Sequence, residues 1–335
     1  MVIDPTPSRR WVQLVALGGT IAMGDATREG VEVSFGAHDL LVRQPELADL
    51  AEIRGQTLRS VDSSQLDLEA IDEVVAAIAL ARREGAAGVV ITQGTDSLEE
   101  VAFALDLLVD TSEIAVIVTG AMRNPTMSGN DGPANLRHGI CAALAPEMRG
   151  VGVCVVMNDE IHAARFVSKV HATNPATFRS YPGPIGWVLE DRVTVAARPI
   201  VQPTIEPIVR TDQHRVGLIT THLGDQGDLV EAMLEAGFDG IVVEAFGSGR
   251  VTVQSAIRLL KASEAIPVVV SSRAGTGEMS RATYSGEGTL VHLMRHGILS
   301  SGWLPGLKAR MLLELLIREG ADRQEIARQL SFYSG

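Results

Sequence analysis

An α/β architecture, a doubly wound parallel sheet followed by a smaller α/β domain, is predicted by three observations. Short uncharged runs rich in β-branched residues recur at 12–17, 89–91, 114–118 and 151–157, the pattern of strands buried on both faces. Between them lie apolar residues at helical spacing, such as Ile71, Val74, Val75 and Ile78. Several runs close on a Gly-containing turn, and 33 glycines in 335 residues fit a fold with many tight strand-to-helix connections.

Taken in order, residues 12–17 form the first strand, and Gly18-Gly19 gives the backbone room to turn before Thr20. Residues 23–38 are polar, Gly-containing and without period. They read as a loop, either a lid beside a reactive turn or an ordinary surface connection. A polar turn surrounds Asp62-Ser63-Ser64-Gln65, and the helix after it ends at Gly85. The central stretch is 89–100: a strand over Val89, Val90 and Ile91, space for a turn at Gly94, then Ser97 and Glu100 as a capping box opening a helix to about Leu108. Strand 114–118 closes on Thr119-Gly120-Ala121-Met122. A rich turn through Asn130-Asp131-Gly132-Pro133 precedes a helix to Leu144, and 151–157 is another strand. Residues 160–197, with Lys169, lack a long helical pattern and read as extended or hairpin structure. Residues 198–214, with Pro199, Pro203 and Pro207, read as a linker between an N-terminal domain, 1–197, and a smaller domain, 215–335. That domain repeats the alternation: strands at 216–221, 241–243 and 267–271, helices at 229–236 and 253–260, then terminal helices near 307–318 and 322–330.

A formal net charge of -12 and 4% aromatic residues exclude an extended nucleic-acid surface, which needs clustered Lys and Arg or a stacking platform. Two cysteines, Cys141 and Cys154, lie among small or apolar neighbours and read as buried reduced thiols. The run 11–17 after Arg9-Arg10 is short, contains Gln13 and leads straight into Gly18-Gly19-Thr20, so it reads as a strand rather than a signal peptide. No stretch reaches transmembrane length, no membrane partner is expected, and the cytoplasm is the expected compartment. His292 and His296 stand at i,i+4, but Leu293 occupies the place where a metalloprotease needs Glu, and no metal is expected. Gly247-Ser248-Gly249 lacks the third glycine of a dinucleotide turn, and Gly275-Thr276-Gly277 lacks the lysine of a phosphate loop.

Two predicted strands end in Gly-Thr: Gly19-Thr20 and Gly94-Thr95, the second followed by Asp96. In an open parallel sheet ligands bind outside the carboxyl ends of the strands, although a lone Thr-Asp pair also serves an ordinary turn. A threonine hydroxyl becomes a nucleophile once a base takes its proton, and a lysine of lowered pKa is such a base. Backbone N–H groups beside glycines stabilise a tetrahedral oxyanion. Acyl transfer from a small amide is the chemistry these residue types share.

The same stretches resemble the bacterial-type L-asparaginase/glutaminase family. Leu17-Gly18-Gly19-Thr20-Ile21-Ala22 is similar to its first signature, and Ile91-Thr92-Gln93-Gly94-Thr95-Asp96-Ser97-Leu98-Glu99-Glu100 to its second. Gly120-Ala121-Met122-Arg123, Asp131-Gly132-Pro133-Ala134-Asn135-Leu136, Met157-Asn158-Asp159 and Ser271-Ser272-Arg273 also fit, so the resemblance spans both domains. It implies a flavodoxin-like first domain and hydrolysis of L-asparagine to L-aspartate and ammonia through a threonine acyl-enzyme, without metal or cofactor. It implies Thr20 as nucleophile, Thr95 as second threonine, Lys169 as its activator, and Asp96 as part of that triad and partner of the substrate amine. Ser64 and Gln65 would hold the substrate carboxylate, and the Ala121 backbone the amide. A homodimer or homotetramer with sites at subunit interfaces is implied.

The sequence departs from the family in three places. Residues 23–38 hold no tyrosine for the lid, which leaves Arg28 or Glu29 to fill that space. Tyr284 falls where the partner subunit's acid is expected, with Glu278 and Glu287 nearby, and Arg250 replaces an asparagine. An altered amide preference is therefore expected, with glutamine, D-asparagine or an analogue as alternative substrates. A non-catalytic amide-binding sensor is the rival of another class. A transfer-RNA amidotransferase subunit fits less well, since no basic appended region is present.

Overall fold

A computed structural model describes residues 10–24, 32–206 and 214–334. The chain divides into two compact units, Met1–Thr204 and Ile205–Gly335. The first contains β1 (Trp11–Gly18), α1 (Ala37–Arg43), β2 (Glu52–Val61), α2 (Leu68–Arg83), β3 (Gly88–Thr92), α3 (Leu98–Leu108), β4 (Ala115–Thr119), α4 (Gly132–Leu144) and β5 (Cys154–Met157). It continues through β6 (Glu160–Ala163), β7 (Val167–Lys169), β8 (Phe178–Ser180), β9 (Gly186–Leu189) and β10 (Arg192–Val195). Five parallel strands lie in the order β2-β1-β3-β4-β5, and β6, β9 and β10 extend the sheet antiparallel beyond β5. This is the flavodoxin-like order, and the connections diverge between β1 and β3, where an open α/β sheet presents its crevice. Every residue of β3 and β4 is buried, as expected of uncharged runs covered on both faces. Leu14, Val90, Ile117 and Ile140 belong to one side of that core.

The second unit holds β11 (Val216–Thr220), α5 (Asp228–Glu235), β12 (Gly240–Ala245), α6 (Val253–Ser263), β13 (Val268–Ser272), α7 (Leu290–Arg295), β14 (Leu299–Ser300), α8 (Gly306–Glu319) and α9 (Arg323–Ser331). Its four strands are parallel in the order β11-β12-β13-β14 around a core that includes Ile241, Val243, Val270 and Leu293.

The structure departs from the sequence-based reading in several elements. α1 begins at Ala37, inside the segment expected to be a loop, and an isolated bridge joins Met23 to Val33. β2 was not expected. Its ten residues are mostly exposed or half-buried at the sheet edge, so they carry little apolar signal. β5 starts at Cys154 rather than 151, and α7 with β14 fills a stretch that has no long periodicity. Ser97 is the N-cap of α3, yet its side chain makes no cap bond; its hydroxyl donates instead to Ser63 O at 2.8 Å. The expected capping box is absent: Glu100 N, which the Ser97 side chain would accept from, bonds the Ser97 carbonyl at 3.1 Å.

Two buried contacts fasten β7 and β8, which among the described residues pair only with each other. The first is an ion pair: Arg165 Nη2 lies 2.6 Å from Asp106 Oδ2, with side chains 4% and 2% exposed. Asp106 Oδ1 also accepts from Val153 N at 2.8 Å, and Arg165 Nη1 donates to Ile200 O. The second is His162 on β6, whose Nδ1 lies 2.9 Å from Ser180 Oγ on β8. Burial first, then the charge of Arg179, pushes the His162 pKa down to about 4.

Asp106→Ala would leave the Arg165 charge without its carboxylate and Val153 N without its acceptor. A loss of about 3–5 kcal/mol is expected in urea unfolding. His162 predicts a pH effect. Unfolded chains take up its proton near the ordinary value of 6.5, whereas the folded chain resists until about 4. Its stabilising contribution is therefore complete above 6.5 and declines as pH falls toward 4, by about 3 kcal/mol in all. His162→Gln should flatten the stability–pH curve across that interval.

Candidate active site

The site begins where β1 and β3 end side by side, with Val15 opposite Ile91 and Ala16 opposite Thr92. Gly19 then has φ 78°, and a Cβ on it would fall 2.0 Å from Gly94 N and 2.2 Å from Gly94 Cα. Any other residue would clash with main chain, which no rotamer relieves. Thr20 and Thr95 thus each follow a glycine at a point where two backbones touch. Thr20 is half-buried and opens a single 3-10 turn, Thr20–Ala22, closed by Ala22 N donating to Gly19 O at 2.9 Å. Gly94 itself is needed for space: a Cβ there would lie 2.8 Å from Ser63 Oγ.

Thr95 is buried, and its Oγ1 accepts from Lys169 Nζ at 2.9 Å. The same ammonium lies 2.6 Å from Asp96 Oδ1. Burial is graded across the trio: Thr95 is 6% exposed, the Lys169 side chain 15% and the Asp96 side chain 78%. A hydroxyl shielded from water therefore meets an amine whose other side meets a solvated carboxylate. In its ammonium form Lys169 donates to Thr95; with a proton removed, the same short path lets the amine accept the hydroxyl proton.

Two further turns pack on this centre. The 3-10 turn Ser63–Gln65 docks through Ser63, whose Oγ accepts from Asp96 N at 3.2 Å. Ser64 and Gln65 stay exposed beside it. The turn after β4 comes in from the other side. A Cβ on Gly120 would lie 2.5 Å from Gln93 O and 3.4 Å from Thr95 Cγ2, so that backbone rests on the second Gly-Thr segment. Ala121 follows, fully buried. Ser63, Asp131 and Asn135 hold these turns and were not singled out individually as site residues in the sequence. The cluster of turn-forming residues around 128–133 signalled Asp131, whereas Asn135 stood only within the stretch 131–136 that carries the family resemblance.

Arg28 and Glu29 lie outside the described residues. In the second unit Arg250 and Tyr284 touch: the guanidinium carbon sits 4.7 Å from the ring centroid. Glu278 pairs with Arg281, and Glu287 is exposed. Cys141 and Cys154 are free and buried. His296 Nδ1 lies 2.8 Å from His292 O one helical turn away. Among the described residues no helix is long and apolar enough to cross a membrane.

A flavodoxin-like sheet whose switch point gathers hydroxyl, amine and carboxylate defines the class, an α/β protein equipped for acyl transfer. The comparisons narrow it. The family model for the asparaginase N-terminal domain matches residues 11–201, and the glutaminase/asparaginase C-terminal domain model matches 215–330. L-asparaginase 2 of Escherichia coli is 31% identical over 336 residues, 96% of this chain and 93% of that protein. The probable periplasmic L-asparaginase of Haemophilus influenzae is 32% identical over 94% of this chain and 90% of its own. The crystal structure of a probable cytoplasmic L-asparaginase from Campylobacter jejuni superposes with a TM-score of 0.86 at 29% identity, covering 96% of this chain and 99% of that one. The chain belongs to the asparaginase family of amidohydrolases.

Proposed function

We propose that the protein hydrolyses the side-chain amide of L-asparagine to L-aspartate and ammonia, with its catalytic groups in the 1–197 domain and 198–214 as linker. In this reading Thr20 Oγ attacks the amide carbon while its proton passes on to the departing nitrogen. The C–N bond breaks, ammonia leaves and a Thr20 ester remains. Lys169 draws the proton of Thr95, Thr95 activates a water, and water cleaves the ester and restores Thr20. Ser64 and Gln65 hold the substrate carboxylate, Asp96 its ammonium, and the Ala121 backbone the amide. The observation that carries the reading is Lys169 Nζ, 2.9 Å from Thr95 Oγ1 and 2.6 Å from Asp96 Oδ1, beside the strand end that bears Thr20. A homodimer or homotetramer working in the cytoplasm completes the proposal.

Thr20→Ala should lower ammonia release by more than about 10³-fold with an unchanged unfolding midpoint. A sensor would instead bind amides and release no ammonia in either form. Lys169→Met should lower kcat by roughly 10²–10⁴-fold, the usual weight of a positioned base.

The Arg250–Tyr284 contact favours a second reading, an altered amide preference. A cation stacked on a ring offers no attraction to an ammonium group at positions where the family resemblance places an asparagine and an acid. Tyr284→Glu should then raise kcat/KM for L-asparagine about tenfold relative to L-glutamine and D-asparagine. Efficient, exclusive turnover of L-asparagine by the wild type would rule this reading out.

A further inference from the structure

The turn that presents Ala121 is held from behind by two side chains of helix α4's first turn and its approach. Asn135 is 2% exposed. Its Nδ2 donates to Gly120 O at 3.0 Å and to Asp131 Oδ2 at 3.0 Å, and its Oδ1 accepts from Asn158 N at 2.9 Å. Asp131 in turn accepts from Met122 N at 3.1 Å and from Arg123 N at 2.9 Å. Asn135 therefore spends both amide hydrogens and its carbonyl, and it joins the turns after β4 and β5. Asn158, with φ 51°, sits in the left-handed region, where the bond from its N–H to Asn135 helps to hold it.

The chemistry of this knot is directional. Gly120 O needs a donor, Met122 N and Arg123 N need acceptors, and Asn158 N needs an acceptor. One amide and one carboxylate, in this order, satisfy all four. Gly120 is also the residue whose backbone lies on Gln93 O and the Thr95 methyl, and Ala121 is next in sequence. A shift of this turn therefore moves Ala121 relative to Thr95 without touching either hydroxyl. A misplacement of about 1 Å can cost roughly 10²-fold in rate.

We propose that Asn135 is a positioning residue for the reaction: through Gly120 O it sets the Gly120–Ala121 backbone against Thr95, so that the substrate amide is aligned with the nucleophile. The inference rests on the functional reading above, in which Ala121 contacts that amide. It is separable from a general structural role by exchanging the two groups. In Asp131→Asn/Asn135→Asp an amide–carboxylate pair remains, and Asn158 N and Arg123 N keep acceptors. Met122 N exchanges its 3.1 Å bond to Oδ2 for the one to Oδ1 at 3.2 Å, while Gly120 O loses its donor and faces a carboxylate.

The test measures kcat and KM for ammonia release, the unfolding midpoint, and amide hydrogen exchange at Met122 and Arg123. It compares wild type, Asn135→Asp and the double exchange. The expected result is a kcat lower by roughly 10- to 100-fold in both variants. KM should stay within about threefold, and the double exchange should keep an unfolding midpoint close to wild type. A kcat within about twofold of wild type in the double exchange overturns the proposal, as does a rate loss that merely follows the unfolded fraction. A wild type that releases no ammonia defeats the functional reading instead. Exchange then decides the hold on the turn: at least about tenfold faster exchange in Asn135→Asp sustains it, and unchanged exchange removes it.

Discussion

The contact between the Gly19 and Gly94 backbones is the constraint on which the site depends. Two parallel strands lie at ordinary sheet spacing along their length, and side chains normally keep the turns after them apart. Here neither turn has a Cβ at the point of closest approach, and the chain at Gly19 adopts a φ of 78° to reach it. The order β2-β1-β3 supplies the other half of the arrangement. β1 leads away to one side and β3 continues to the other, so the two turns meet at their bases and diverge above. A hydroxyl follows each glycine, and the opening lies next to both.

The Lys169–Asp96 pair contributes little to stability despite its short distance. The carboxylate is 78% exposed, and ion pairs of that kind are worth about 0–1 kcal/mol. Its role is orientation. Asp96 fixes one side of the ammonium, which leaves the other directed at a hydroxyl that water scarcely reaches. The gradient from solvated carboxylate to shielded hydroxyl gives the trio a direction, which an isolated distance between two atoms would not.

Much of this was legible in the sequence because buried parallel strands are uncharged and β-branched. β3 and β4 were visible from Val89–Val90–Ile91 and 114–118 alone, and their turns followed from Gly94 and Gly120. β2 was not legible, because an edge strand facing solvent carries the same polar residues as a loop. The Ser97 capping box failed for a different reason. Sequence spacing recognises local side-chain partners, whereas Glu100 N bonds the Ser97 carbonyl and the hydroxyl donates to Ser63, 34 residues earlier. Asn135 stayed hidden for the same cause: its partners Gly120 and Asn158 lie 15 residues before and 23 after it. Lys169 came from family resemblance, since its hairpin has no period and 74 residues separate it from Thr95.

What brings Lys169 across that separation is helix α3. Thr95 and Asp96 stand just before its first turn, and Asp106 lies near its last. Lys169 binds the former pair and Arg165 the latter residue. From Leu98 to Asp106 the helix rises about 12 Å at 1.5 Å per residue. Arg165 lies in the turn that leads into β7, and Lys169 is the last residue of that strand. β7 packs against α3, so the 165–169 segment is held on the helix, fastened at one end by a buried ion pair and at the other by the trio. The two fastenings differ in kind. The buried one cannot be opened without leaving a charge in the core, whereas the solvated one gives way at little cost. A strong anchor at Arg165 thus leaves Lys169 free to exchange partners at its own end while its position along the helix stays fixed. That is the combination the role proposed for Lys169, moving a proton between partners, requires.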